Sequence, residues 1–249
     1  MEGISEAADI LSAGLLCLSK NDPRADNIIT PRFDKIVTLL NAYINEIEKH
    51  NPAYGLVGTS DRRGLVLRHV LDSLSPLGIF SRFFGNDNAT HIAGGKIHIA
   101  DVGSGAGLPG IPLAIVLPEA RFTLIERGGR KAKFLRNTQK TLGLANITVE
   151  EAEMEKAKPG RFSIVTFRAF RPLDPKIFKK LSRLCVAGNG VANGAVNSVL
   201  AAYKGRHEKI TAEMTALENV VPGLAGRWEV LPCPVPGLDE ERHLVLIYP

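Results

Sequence analysis

Cysteine, methionine and tryptophan are scarce in this chain of 249 residues, which contains three, three and one of them. The cysteines are Cys17, Cys185 and Cys233; they are odd in number, far apart and without the spacing of a metal site. We therefore expect neither a disulfide framework nor a bound metal. A reducing, cytoplasmic compartment fits this pattern best, with the three thiols acting as small buried apolar side chains.

Long hydrophobic runs are also missing. The longest covers residues 108–117, contains prolines, and falls well short of the roughly 20 residues that span a bilayer. The first six residues carry two acids and no base after the initial methionine, which is unlike a secretory signal peptide. The sequence thus predicts no membrane association, and it contains no repeat or low-complexity tract.

Charge is mixed rather than extreme. There are 31 basic and 26 acidic residues, a net charge of +5 and an isoelectric point near 9.2. This mild basic excess is compatible with a nucleic-acid partner but is not specific to one. The 45% hydrophobic content is sufficient for one large core, or for one domain with a smaller unit beside it.

The periodicity of apolar residues divides the chain into two parts. Residues 1–90 predict a helical unit, with helices at 8–18, 32–50 and 62–84, followed by a polar linker at 86–95. Residues 91–249 alternate strand and helix, which is typical of an α/β doubly wound sheet, and they close with strands at 228–231 and 243–248. A run rich in Gly, Asn and Ala at 187–198 predicts a loop.

The most informative stretch is residues 96–111, which predicts a buried strand, a glycine-rich turn and the start of a helix. Asp101 ends the strand, and Gly103, Gly105 and Gly107 follow at every second position. Glycine permits positive φ and lets a ligand approach the backbone closely, and the helix N-terminus offers free N–H groups. The pattern predicts a nucleotide-like ligand at the carboxyl end of the sheet.

The turn is compatible with two classes of enzyme that bind different nucleotide-like cofactors. Gly105-Ala-Gly107-Leu-Pro-Gly110 fits the dinucleotide motif G-x-G-x-x-G, and Glu126 ends the next strand where an acid binds a ribose, which suggests an NAD(P)-dependent oxidoreductase. However, Asp101 precedes the glycines, and the full run Asp-x-Gly-x-Gly-x-Gly resembles the first motif of class I S-adenosyl-L-methionine (AdoMet) methyltransferases. An oxidoreductase also needs a group that handles protons, for which His69 and His98 are poor candidates.

Several polar and basic side chains accompany this turn. His69, Asp72 and Ser73 share one helix face, either as a solvated face with capping residues, which the spacing alone favours, or as a cluster directed at the ligand pocket. No acid interrupts residues 127–149, and we expect an RNA-phosphate surface at Arg130, Lys131, Lys133 and Arg136. Arg168 and Arg171 follow the fourth strand, where they would meet a phosphate, a carboxylate or a base edge.

Together these motifs resemble the RsmG (GidB) family, the bacterial 16S ribosomal RNA (guanine-N7)-methyltransferases. The similarity runs from about residue 41 to the C-terminus. Its carriers are Arg68-His-Val-Leu-Asp-Ser-Leu74, Asp101-Val-Gly-Ser-Gly-Ala-Gly-Leu-Pro-Gly-Ile-Pro-Leu113, Lys133-Phe-Leu-Arg136, Arg168-Ala-Phe170, Lys204-Gly205 and Pro236-Gly-Leu-Asp-Glu-Glu-Arg-His-Leu-Val-Leu246. The Leu-Pro-Gly-Ile-Pro run and the terminal Glu-Arg-His-Leu-Val run are specific when they occur together.

The resemblance implies a class I AdoMet-dependent methyltransferase, with a Rossmann-like sheet whose C-terminal strand is antiparallel, preceded by a small helical unit. Its substrate would be N7 of a guanine in the 530-loop region of 16S rRNA, within a small-subunit particle. Gly103 and Leu108 would line the AdoMet site, Met154 and Glu155 would bracket the adenine, and Lys204 would lie near the RNA. A non-catalytic ribosome-assembly RNA-binding protein is a further alternative, since it would keep the basic faces without needing Asp101 and the glycines.

The sequence and the resemblance together give these site predictions. The expected AdoMet-binding residues are Asp101, Gly103, Ser104, Gly105, Gly107, Leu108, Glu126, Met154, Glu155 and Arg168. Arg168 is also the one candidate for a catalytic role. The expected RNA contacts are Arg130, Lys131, Lys133, Arg136, Arg171 and Lys204. Three features depart from the family pattern: Phe167 replaces a small hydroxyl residue, residues 153–155 are acidic where an arginine is common, and 187–198 resembles an insertion.

Overall fold

The computed structural model describes residues 2–59, 61–84, 97–169, 172–186, 191–192, 195–196 and 198–249. The helices are α1 (Glu2–Asn21), α2 (Pro23–Ile29), α3 (Phe33–Tyr54), α4 (Arg62–Leu65), α5 (Asp72–Leu74), α6 (Leu77–Phe80), α7 (Gly110–Val116), α8 (Gly129–Leu142), α9 (Pro175–Ser182) and α10 (His207–Glu218). A π-helical segment, Val66–Leu71, joins α4 to α5, and short 3₁₀ turns lie at Thr30–Arg32, Ser81–Phe83 and Met154–Lys156.

Seven strands form one sheet. The strands of the chain are β1 (His98–Val102), β2 (Arg121–Glu126), β3 (Ile147–Glu151), β4 (Ile164–Arg168), β5 (Val191–Ala192), β6 (Ala195–Val196), β7 (Val199–Lys204), β8 (Trp228–Pro232) and β9 (His243–Ile247). The sheet order is β3-β2-β1-β4-β7-β9-β8, and β5 pairs separately with β6. In the large sheet β9 is antiparallel to both of its neighbours, β7 and β8, whereas the pairs from β3 to β7 are parallel. This confirms the predicted doubly wound α/β class with an antiparallel C-terminal strand.

Helices cover both faces of the sheet, so its strands are apolar on both sides. Alternate residues of β1 illustrate the division: Ile99 enters a core that also holds α3, α7 and α8, whereas Ala100 and Val102 enter a second core built with α9 and α10. Burial at every position of β1 after His98 follows from this arrangement. Because β1 is a parallel neighbour of both β2 and β4, the carboxyl ends of these three strands meet at one edge of the sheet.

The N-terminal helices share the first core rather than forming a separate one. Leu11 of α1, Leu40 of α3 and Leu71 of the π-helical segment belong to the same buried cluster as Ile99 and Phe122 of the sheet. The predicted boundary near residue 90 falls in the range 85–96, outside the described residues. Among the described helices, none is both long and apolar enough to cross a membrane.

Several helices and strands have other bounds than the sequence predicts. The helix predicted to follow the glycine-rich turn, over the apolar run 108–117, begins only at Gly110, because three glycines with positive φ hold residues 103–107 in turns. The prediction of a continuous helical region at 62–84 was only partly right, since it is divided into short pieces near Pro76. Strands β5 and β6 lie in the predicted loop 187–198. The rest of that loop up to residue 197, the linker 86–95 and Arg171 lie outside the described residues.

Candidate functional site

The glycine-rich turn is built by backbone geometry. Gly103, Gly105 and Gly107 have φ values of 71°, 60° and 94°, a region that side chains with a Cβ rarely occupy. Gly107 is also crowded: a Cβ there would lie 2.4 Å from a terminal carbon of Ile111 and 3.1 Å from Leu135. Gly107 is therefore required for packing the turn against α7 and α8.

Asp101 lies beneath this turn and holds it together. Its Oδ2 accepts hydrogen bonds from the Ser104 hydroxyl at 2.7 Å and from the Gly110 N–H at 3.1 Å. The side chain is buried, and its Oδ1 has no hydrogen-bond partner among the described residues. Burial raises the pKa of Asp101 to about 6, although the hydrogen bonds from Ser104 and Gly110 oppose that shift.

Glu126 holds the turn from the neighbouring strand. One carboxylate oxygen accepts from the Gly105 N–H at 2.9 Å and the other from the Gly128 N–H at 2.7 Å. A carboxylate fixed by two backbone donors is held in one orientation, and its remaining lone pairs can accept further hydrogen bonds. This places an anchored acceptor at the carboxyl end of β2.

A cavity of about 660 Å³ opens beside the turn, and we call it the glycine-loop cavity. Its lining residues are Val102, Gly103, Ile125, Glu126, Arg127, Lys131, Ala152, Glu153, Met154, Glu155 and Ala169. Of the ten residues predicted for AdoMet, Gly103, Glu126, Met154 and Glu155 are on its wall.

The other residues of the turn that are predicted to bind AdoMet do not line the glycine-loop cavity. Asp101, Ser104, Gly107 and Leu108 are buried and do not line the cavity, and Gly105 is half-buried with its N–H bound to Glu126. Asp101 and Ser104 hold the turn together by their hydrogen bond, and Gly105 and Gly107 supply its positive φ angles. Contact of these residues with AdoMet stays a prediction.

A second cavity of about 300 Å³ lies on the other side of the end of β4, and we call it the arginine cavity. It is lined by Arg68, His69, Asp72, Ser75, Pro76, Arg168, Ala169, Tyr203, Lys204, Gly205, Cys233, Arg242 and His243. Ala169 lines both cavities. It has a φ of 51° and is the one non-glycine residue with positive φ in the described chain. Strained backbone of this kind costs about 1–3 kcal/mol and concentrates at functional sites.

Asp72 forms the centre of an ion network in the wall of the arginine cavity. Its Oδ2 accepts from Arg168 Nη1 at 2.7 Å and its Oδ1 from Arg242 Nε at 3.0 Å. The Asp72 side chain is 7% exposed. A buried carboxylate that two guanidinium groups satisfy ties three distant segments together: the helical region, the end of β4 and the start of β9.

His69 fixes the orientation of Arg168. Arg168 Nη2 donates to Nδ1 of His69 at 3.1 Å, and the opposite ring nitrogen of His69 lies 3.0 Å from the hydroxyl of Thr59. Because a guanidinium can only donate, Nδ1 must be unprotonated and His69 neutral. Burial and the charges of Arg168 and Arg68 lower the pKa of His69 to about 4, which agrees with this tautomer.

The structure largely encloses the polar cluster instead of leaving it as the solvated face that its spacing favoured, and its role at a ligand pocket stays a prediction. His69 and Asp72 line the arginine cavity. Ser73 is fully buried below the cavity wall, and its hydroxyl donates to the carbonyl of His69 at 2.6 Å. Helical spacing alone could not reveal this, since the covering residues come from β4, β7 and β9.

The predicted RNA contacts differ in availability. Arg130 and Lys133 are exposed on α8, and Lys131 reaches the glycine-loop cavity. Arg136 pairs with Glu151 at 2.9 Å. Lys204 lies between both carboxylate oxygens of Glu213, at 2.7 and 3.0 Å, and is only 18% exposed. Arg171 is outside the described residues.

Sequence reasoning missed several residues of the arginine cavity. Arg242 was quoted only as part of the terminal Glu-Arg-His-Leu-Val run, yet it contacts Asp72 across 170 positions. Tyr203 donates its hydroxyl to the carbonyl of Ser73 at 2.7 Å. Cys233 contributes a buried thiol whose pKa burial raises to about 12. The two quoted motifs around residues 68–74 and 236–246 contained the signal, but no pattern in either indicated that they meet.

Comparison with known proteins relates this site to a family. A family model described as rRNA small subunit methyltransferase G matches residues 36–221. Ribosomal RNA small subunit methyltransferase G of Treponema denticola is 33% identical, with 96% of this chain and 95% of that protein aligned. The protein of the same name from Cellvibrio japonicus is 37% identical over 84% of this chain and 85% of its own.

Similarity to solved structures is more distant. A SAM-dependent methyltransferase from Aquifex aeolicus is 15% identical, with a TM-score of 0.47, 72% of this chain and 92% of that chain covered. The family assignment does not depend on that likeness, because the family model spans most of the chain and the curated relatives align over nearly their full length. The chain belongs to the rRNA small subunit methyltransferase G (GidB) family, and it is a methyltransferase.

Proposed function

We propose that the protein transfers the methyl group of S-adenosyl-L-methionine to N7 of a guanine in 16S ribosomal RNA, in the 530-loop region. Family membership supports the reaction class, and relatives carry the name ribosomal RNA small subunit methyltransferase G. The observation that carries the proposal is that Ala169 lines both the glycine-loop cavity and the arginine cavity. Because one residue lines both cavities, the cavities adjoin, and a methyl donor in one could meet its acceptor in the other.

The glycine-loop cavity fits AdoMet. Its volume of about 660 Å³ lies within the range of about 300 to 1,000 Å³ that is usual for ligand pockets. Glu126 would accept hydrogen bonds from the ribose hydroxyls, and Met154 and Glu155 would flank the adenine. Bound AdoMet supplies an electrophilic methyl group on a positively charged sulfur. The buried Oδ1 of Asp101, which has no hydrogen-bond partner in the described part of the chain, adds negative charge beneath the turn, and this favours a cationic ligand.

The arginine cavity would take the guanine. N7 of neutral guanine carries an unshared electron pair, so no proton has to leave and no general base is required. The rate then depends on holding N7 in line with the methyl group. Arg168 donates to Asp72, to the carbonyl of Arg68 and to His69. We assign it to positioning the cavity wall rather than to chemistry or to contact with AdoMet.

The acceptor base has to leave its stack to enter a cavity of this kind. Arg130 and Lys133 on α8 would contact RNA phosphates near the glycine-loop cavity. We place the reaction on a small-subunit particle in the cytoplasm, where the RNA is already folded around the target.

The test compares donor binding with methyl transfer. Purified protein should bind AdoMet in calorimetry and should transfer tritium from labelled AdoMet to 16S rRNA, with the modified guanine located by mass mapping. Glu126→Gln should weaken AdoMet binding at least tenfold. Glu119→Gln, an exposed acid at the opposite end of β2, is the matched control and should bind as the unaltered protein does.

Other outcomes identify the alternatives. Binding of NADH without AdoMet would favour an oxidoreductase. RNA binding with neither AdoMet binding nor labelled rRNA would favour an assembly factor, and either result would contradict the proposal.

A further inference from the structure

A third hollow adjoins the arginine cavity on its outer side, and we call it the outer groove. Its volume is about 800 Å³, and its lining residues are Pro172, Lys204, Gly205, Arg206, Lys209, Ile210, Glu213, Asp239, Glu240, Glu241 and Arg242. Lys204, Gly205 and Arg242 line both hollows. A nucleotide whose base occupies the arginine cavity would therefore pass its sugar and phosphate out along this shared rim.

Glu240 lines the outer groove beside this shared rim. One carboxylate oxygen accepts a hydrogen bond from Nη1 of Arg68, and the other accepts from Nη2 of Arg242 at 2.7 Å. The two arginines come from distant segments, the π-helical segment and the residue before β9. Glu240 thus bridges two cations that both line the arginine cavity.

This bridge is exchangeable. The side chains of Arg68 and Glu240 are 50% and 42% exposed, and exposed ion pairs are worth only about 0–1 kcal/mol. A phosphodiester carries one negative charge on two non-bridging oxygens, as a carboxylate does, and it can accept from two guanidinium groups in the same way. The hydrogen bonds from Arg242 and Arg68 lower the pKa of Glu240, so the carboxylate stays charged near neutral pH.

The neighbouring cation is less available. Lys204 is held by both oxygens of Glu213 and is largely buried, and Glu213 also accepts from the Leu173 N–H at 2.6 Å. Displacing Glu213 would leave that N–H without its acceptor. Arg168, a further cation of the arginine cavity, is held by Asp72 and His69. Among the described arginines and lysines that line the arginine cavity, Arg68 and Arg242 are therefore the pair that a phosphate can reach at the lowest cost.

We propose that Arg68 and Arg242 bind a phosphate of the RNA strand next to the acceptor guanine, and that Glu240 occupies this phosphate site until RNA displaces it. The proposal rests on the proposed function, since it assumes that the arginine cavity receives the base. Glu240 acts as an internal competitor of the substrate, and it keeps the two arginines in their binding positions while the site is empty.

The experiment uses the full chain and measures RNA affinity against salt concentration, with small-subunit particles that lack the modification as the probe. Glu240→Gln should bind the particles roughly threefold more tightly, because the arginines are released. Asp239→Asn removes the same charge from an exposed acid of the same groove. It should change affinity much less, which separates release of the arginines from a general loss of negative charge.

Arg68→Gln provides the second arm. It should weaken particle binding and reduce the slope of log affinity against log salt by about 1. In that background Glu240→Gln should lose most of its effect. Equal affinities and slopes for the unaltered protein, Glu240→Gln and Asp239→Asn would overturn the proposal.

Failure of the proposed function would look different. In that case the unaltered protein would neither bind AdoMet nor label the particles. If the unaltered protein is active and only the affinity differences are missing, the phosphate site is wrong and the reaction stands.

Discussion

Folding buries the carboxyl group of Asp101, and only 1% of the residue's surface remains exposed to solvent. Its pKa rises from 3.8 to about 6 in the folded protein. Between those values the folded state binds more protons than the unfolded state, so stability falls as pH rises through this window. A pKa difference of about 2 between the folded and unfolded states changes the free energy of unfolding by about 3 kcal/mol over the whole titration.

We predict that Asp101→Asn removes this pH dependence. Relative to the variant, the unaltered protein should lose about 2.5 kcal/mol of unfolding free energy between pH 4 and pH 7. Urea unfolding of both proteins at several pH values measures the difference, in which the titration of other groups cancels. A difference that stays constant across the window would contradict the raised pKa.

Gly107 and Gly143 allow a matched comparison of two substitutions. Both have positive φ, at 94° and 63°. A Cβ on Gly107 meets Ile111 at 2.4 Å, whereas a Cβ on Gly143 finds no atom within 4 Å. We predict that Gly107→Ala costs about 1–3 kcal/mol more than Gly143→Ala, the excess being overpacking rather than strain. Chemical denaturation measures this, and equal costs would show that the turn can move aside.

At the scale of elements, the ion pairs of Asp72 join the helical region to Arg168 at the carboxyl end of β4 and to Arg242 just before β9. We predict that Asp72→Asn lowers the unfolding free energy by about 3 kcal/mol, since it leaves two guanidinium groups without their shared carboxylate. Methyl transfer should fall sharply while AdoMet binding persists, because the glycine-loop cavity lies on the other side of Ala169.

Glu48→Gln is the control for Asp72→Asn. Glu48 is half-exposed and pairs with one guanidinium, that of Arg62, on the helices, whereas Asp72 is buried and pairs with two. Glu48→Gln should therefore lower the unfolding free energy less than Asp72→Asn does. Comparable losses of stability in the two variants, or loss of AdoMet binding in Asp72→Asn, would contradict the role given to the network.

The glycine turn and the parallel strands were predictable because their signals are local. Glycines at 103, 105 and 107 predict positive φ angles, and the apolar runs of β1 and β2 predict strands buried on both faces. The arginine cavity was not predictable in this way. Its contacts join Asp72 to Arg168 and Arg242, and the spacing within one helix cannot indicate partners that approach from other strands.

The helix boundaries illustrate a second limit. Periodicity predicted a helix at 32–50, within four residues of the bounds of α3, but the apolar run 108–117 suggests a helix that includes residues 108–109, whereas α7 begins only at Gly110. Prolines and apolar residues there are compatible with a first helical turn. The tertiary demands of the turn, including Asp101 bonding to the Gly110 N–H, set the true start.

At the scale of the whole molecule, the N-terminal helices and the sheet bury a common set of side chains. Tyr43 of α3 donates its hydroxyl to the carbonyl of Ala106 at 2.9 Å, inside the glycine turn. Arg32 donates to the carbonyl of Val116 at 2.7 Å, at the end of α7. We propose that the division near residue 90 separates two sequence segments of one folding unit.

We predict that residues 91–249 do not fold alone, because the face containing Ile99 and Phe122 would be exposed to water. Thermal unfolding should be broad and AdoMet binding absent. Co-expression of residues 1–90 and 91–249 as separate chains should restore both, which serves as the control. A sharp transition and AdoMet binding by the isolated C-terminal segment would instead establish an independent domain.

Ala169 lines both the glycine-loop cavity and the arginine cavity, and its side chain is a single methyl group. A larger side chain at this position would take up space where the two cavities adjoin and would hold an acceptor farther from the methyl donor. The residue at position 169 therefore limits how closely the two reactants approach, which is a property separate from the affinity of either cavity.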